Sequence, residues 1–220
     1  MSRRITDTNG PNHDIWVNTL RIGETVINED DLALLAQTNN ATLIGAAPAT
    51  SGLACSILRN GRDFQLTFTL TALSVAITDG GVSGSHGATK LFDFVESSIA
   101  FMGSRANYTA FAEGAALTTA AGDANFVIGL GTTAISAAAD KSLGSTTQVN
   151  VGASLELTNS GGTTTGSRHT GPLDIGVVDG TSTAADLYLN VSGSAATIDA
   201  TSTLAVTGTI TVNGTLLGDD

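Results

Sequence analysis

Only one cysteine, Cys55, occurs in the chain, so no intrachain disulfide can form and the fold must stand on packing. Its neighbours Leu53, Ala54, Ile57 and Leu58 predict a buried, inert thiol, since no nearby base is available to lower its pKa. Lysine is almost as scarce, with Lys90 and Lys141 alone, and the formal net charge is −11. A chain of this sign offers no basic footprint for nucleic acid, so no nucleic-acid partner is expected. Charged residues make up 13% and aromatics 5%, so the surface must meet water through Thr, Ser and Asn. No long apolar run is present either. The least charged stretch, residues 41–58, is broken by Gly45, Pro48 and Gly52, so no membrane span is expected. Arg3 and Arg4 are followed by Thr6, Asp7, Asn9 and Pro11 instead of an apolar core, which predicts synthesis in the cytoplasm without a signal peptide.

What the sequence does hold is 26 glycines, much threonine, and alternation. In residues 64–90 the apolar positions Phe64, Leu66, Phe68 and Leu70 share one parity, and Leu73, Val75 and Ile77 share the other. A strand keeps both sets on one core only if it inserts an extra residue near Thr71 and Ala72, which predicts a β-bulge. Asp79-Gly80-Gly81 reads as a turn into a glycine-rich loop running to Lys90. Asn60-Gly61 is a strong hairpin signal just before this strand. Further strands are expected around Phe126–Leu130, 149–157, 187–191 and 203–212, with residues 97–102 read as strand and a helical turn there left open. Near the start, Leu20, Ile22, Val26 and Ile27 suggest a short strand or hairpin about Gly23. Asn28 then caps a short helix near 29–37, with Glu29, Asp30 and Asp31 in its first turn.

The expected fold is all-β: a jelly-roll-like antiparallel β-sandwich with an extended N-terminal arm and one short helix. Residues 1–58 read as arm and connector, and residues 59–220 as the sandwich domain. Trp16, the only tryptophan, closes the polar arm and is a candidate interface anchor, as aromatic residues are enriched at binding hot spots.

No catalytic, cofactor or metal site is expected. The loop of residues 80–90 ends Ala-Thr-Lys, not the Gly-Lys-Ser/Thr of a phosphate cradle. His13, His86 and His169 lack the short ligand spacings of a zinc site. Ser85-His86 with Asp79 or Asp93 has the residue types of a hydrolase triad but no nucleophile elbow. Asp174, Asp179, Asp186 and Asp199 sit in turn-rich sequence without calcium-loop spacing. The glycine loop therefore reads as packing, and Gly84, His86 and Gly87 are candidate intersubunit contacts.

Several runs together resemble structural proteins encoded beside the capsid genes of tailed bacteriophages. They are LTFTL at 66–70, ITDGG at 77–81, GSHG at 84–87, KLFDF at 90–94, DLYLNV at 186–191 and TLAVTGTI at 203–210; LRIGET at 20–25 and LGD at 217–219 belong to the set too. Where such proteins carry an aromatic near the end, this chain has Asn213-Gly214. The resemblance implies a capsid decoration, or cement, protein on the virion surface. Its implied partners are the major capsid protein and other copies of itself, as a homotrimer or cluster. Another phage subunit (capsid, tail tube or fibre) and a carbohydrate-binding or adhesive sandwich are the alternatives.

Overall fold

The computed structural model describes residues 19–22, 25–28, 44–79, 84–113, 125–136, 143, 147–158, 166–170, 177–193 and 202–218. Trp16 and the expected helix at 29–37 lie outside the described residues. The chain forms two compact units, Met1–Asn39 and Asn40–Asp220. In the first unit, β1 (Thr19–Ile22) and β2 (Thr25–Asn28) pair antiparallel as the hairpin expected about Gly23.

The second unit is all-β and antiparallel, with no helix among its described residues. One layer of its curled sheet holds β4 (Leu53–Asn60), β5 (Asp63–Asp79), β13 (Ser202–Gly218), β7 (Ser98–Glu113), β10 (Gly166–Thr170) and the short β11 (Val177–Val178). The other holds β3 (Gly45–Ala46), β6 (Ser85–Phe94), β12 (Asp186–Gly193), β8 (Asn125–Gly131) and β9 (Gly152–Thr158). β5 belongs to both layers: it lies along β13 for most of its length and hands over to β6 where Thr78 and Asp79 pair with His86 and Ser85. The result is a jelly-roll-like sandwich closed at one side by its longest strands.

All seven phenylalanines are spent on the core between the layers, which is how so few aromatics suffice. Phe68 meets Phe92 edge-on at 6.3 Å, and Phe94 touches Phe64 and Phe101 at 5.7 Å each. A fully buried Leu or Phe contributes roughly 1.5–3 kcal/mol.

The bulge foreseen in β5 is present. Val206 pairs with Leu73 and Gly208 with Leu70, so three steps on β5 match two on β13. Phe64, Leu66, Phe68 and Leu70, then Leu73, Val75 and Ile77, are accordingly all buried. Ala72 takes the strain at φ +49°, and its N–H donates to Thr207 Oγ1 at 3.1 Å instead of to a ladder carbonyl. At the same level β7 carries its own extra residue, Thr109, and a second, Met102, is extruded outward and 57% exposed.

Asn60 is the last paired residue of β4, opposite Asp63, and the hairpin loop is Gly61-Arg62. Positive φ falls on Gly61 alone, as a turn with glycine at its first central position requires. Gly214 faces the core, and the ring of Phe64 occupies the room an aromatic would have taken there.

Candidate functional site

On the outer face of the second layer, the strand register sets Asp93 of β6 directly opposite Asp186 of β12. Two carboxylates so placed repel. Lys90 lies between them, with its Nζ 2.6 Å from Asp93 Oδ1 and 2.9 Å from Asp186 Oδ2. Alternation alone would send Lys90 and Asp93 to opposite faces. A register shift does otherwise: Phe92 pairs with Leu187 but Lys90 with Tyr188, leaving Leu91 as an extra residue between them. Tyr188 completes the group, donating its hydroxyl to Asp186 at 2.7 Å.

The electrostatics follow from these contacts. Hydrogen bonds to Asp93 and then Asp186 raise the Lys90 ammonium above its ordinary value. Partial burial pushes the Asp186 carboxyl up, but the hydrogen bonds that Tyr188 and Lys90 donate to it outweigh this and hold the group below the usual range.

Beside this cluster opens a cavity of about 310 Å³, lined by Thr132, Thr133, Asp179, Ala185, Asp186 and Tyr188 among others. Its threonine wall is fixed by buried polar groups on β12 and in the segment that crosses outside it. Asn190, fully buried, accepts from Ile135 N–H and donates to the carbonyls of Thr133 and Gln148, each at 2.9 Å. Asn150 accepts from Thr132 N–H at 2.9 Å and donates to its hydroxyl at 2.8 Å. An aromatic hydroxyl, two carboxylates and two threonines around a small cavity suit a polar, hydroxyl-rich or cationic small ligand.

The residues singled out from the sequence do not gather here. The expected glycine loop is a strand from Ser85 onward, so His86 and Gly87 lie at the start of β6, with Gly84 immediately before it, and not in a crossing loop. Gly84 and Gly87 are buried within the chain. A Cβ on Gly87 would stand 2.2 Å from the carbonyl oxygen of Ala76, so its glycine is explained by the close approach of β5. His86 is half-buried, with Nδ1 lacking a hydrogen-bond partner among the described residues. Ser85 and His86 are neighbours on one strand and face opposite ways, Ser85 into the sandwich. Asp93 is engaged by Lys90 at the other end of β6. Ser85, His86 and Asp93 thus form no triad. Cys55 is half-buried on β4, and burial pushes its thiol up to about 11.

Among the described residues no group of three or more His, Cys, Asp or Glu could hold a metal ion, and no helix is long and apolar enough to cross a membrane. Of the Lys90 cluster only the shared parity of Asp186 and Tyr188 was legible in the sequence, because the spacing of Lys90 and Asp93 on a regular strand puts them on opposite faces. What the sequence does not carry is that β6 and β12 are neighbours.

Fold and site define an all-β sandwich in which the Lys90 charge cluster borders a small polar cavity. No known protein family matches the chain, and neither a curated protein nor a solved structure is detectably similar to it.

Proposed function

We propose that this chain is a non-enzymatic virion structural protein that decorates a tailed-phage capsid, binding the outer face of adjacent capsomers and clamping them against internal pressure. One observation carries the reading. Most of the runs that resemble phage head proteins, at 66–70, 77–79, 90–94, 186–191 and 203–210, fall on β5, β6, β12 and β13, four consecutive strands of the sheet, while the run that starts at Leu20 belongs to the first unit. The larger part of the resemblance is therefore one contiguous sheet centre. An acidic, lysine-poor surface suits a protein held by many weak repeated contacts, in which the lattice supplies avidity. The partners are then the major capsid protein and other copies of this chain. Purified protein mixed with expanded capsids should bind saturably and raise their melting temperature; neither effect would leave the reading without support.

A second reading is favoured by the cavity at Tyr188. A carbohydrate-binding or adhesive sandwich would use that aromatic and its carboxylates, and glycan binding by the isolated protein that is lost in Tyr188→Ala would select it.

A further inference from the structure

The outer edge of the first layer is β4, which pairs with β5 and with no other described strand. The phase of its hydrogen bonds can be worked out. Thr71 N–H donates to Gly52 O at 2.8 Å, so the even-numbered positions face β5. Antiparallel alternation carries that phase through Ala54, Ser56, Leu58 and Asn60. The odd-numbered residues turn their N–H and C=O groups outward. Leu53 N–H is already taken by Thr50 O at 3.1 Å, which leaves Cys55, Ile57 and Arg59 as a row of open backbone groups.

Proteins usually guard such an edge with proline, lysine, a bulge or a very short strand. β4 has none of these, its one charge being Arg59 near the hairpin end: eight residues pair in continuous register, without proline, lysine or any carboxylate. Its side chains are also left incomplete. Leu53, Cys55 and Ile57 pack on the core while only half-buried, and Leu58 is 68% exposed.

We propose that β4 pairs with β4 of a second copy, antiparallel about a twofold axis at Ile57, joining the two first layers into one continuous sheet. This register alone uses all three open residues, setting Ile57 opposite Ile57 and Cys55 opposite Arg59. The two Arg59 side chains are then separated along the edge by four residues, about 14 Å at strand rise. The charge balance points to the same occupant. Copies of net charge −11 repel wherever their carboxylates face, and β4 is an edge with no carboxylate along which they can approach. The contact makes pairs, whereas the phage resemblance implies trimers or clusters, and it does not rest on the capsid reading.

The test is sedimentation equilibrium of the full chain from low to high salt. A dimer is expected that tightens as salt rises, because screening removes the repulsion of the two acidic bodies. Ile57→Pro removes an outward N–H without touching a β4–β5 bond and should weaken the dimer about tenfold or more. As a second arm, Cys55→Ser with Ile57→Cys places two thiols opposite each other, within about 5.5 Å between Cα atoms, and should give a disulfide-linked dimer on oxidation. Cys55→Ser alone should not. A monomer at every salt concentration, a dimer indifferent to a folded Ile57→Pro variant, or no cross-link at position 57 would each overturn the proposal. A monomer that binds capsids removes the dimer alone; a dimer that ignores capsids removes the decoration reading alone.

Discussion

Lys90 sits where strand register would otherwise hold two carboxylates face to face, so its removal should cost more than a surface ion pair usually does. Exposed pairs contribute about 0–1 kcal/mol, and an uncompensated Asp93–Asp186 contact adds to that. Lys90→Met should therefore lower stability by about 1 kcal/mol at neutral pH. The sign with pH follows from Asp186, whose carboxyl is held below its ordinary value in the fold. Such a group contributes stability above its unfolded pKa, near 4, and loses it as pH falls through the folded value. The penalty of Lys90→Met should thus shrink as pH falls below about 4 and through the folded value of Asp186; a loss in urea titrations that stays the same from neutral pH into that acid range would refute the assignment. Gly87 is a second decisive residue. Its replacement by alanine forces β5 and β6 apart at Ala76, and a loss of about 1–3 kcal/mol should appear as a lower melting temperature of the isolated protein. A substitution at Gly87 consequently tests the fold and not an interface.

At the scale of elements, the bulge in β5 is the device that keeps one 17-residue strand on one core. Deleting Ala72 would remove the bulge and restore simple alternation with Leu73, Val75 and Ile77 still on the core, so the deletion should yield folded protein, and its failure to fold would show that the bulge itself is required. Ala72→Gly keeps the bulge. Glycine within a strand normally costs about 0.5–1 kcal/mol, but at φ +49° it relieves a strained alanine, and a stability gain of a few tenths to about 1 kcal/mol is expected by thermal denaturation. The bulge was legible because parity is written directly in the positions of Leu70 and Leu73. β6 was not, because Gly84 and Gly87 carry the composition of a loop. The reason for glycine at 87 is the carbonyl of Ala76, contributed by another strand, and no local pattern announces such a neighbour.

Across the whole molecule, the same distinction separates what could be read from what could not. The all-β class, the strands around Phe126, Leu187 and Leu204, and the inward faces of β5 and β13 follow from alternation, which needs only adjacent residues. The Lys90 cluster and the open edge at β4 depend on which strands lie side by side, and that is decided by packing between distant segments. The placement of β13 has a further consequence, one that concerns time. The last strand in chain order lies between β5 and β7, and Gln65 bonds to Asn213 across 148 positions. During synthesis the apolar face of β5 can find its hairpin partner β4 early, but the neighbour along most of its length emerges only after β6 to β12 have been made. So non-local a pairing places folding among the slow, millisecond-to-second cases. The nascent chain must carry its exposed core face until then, when it is most open to aggregation and most in need of a chaperone.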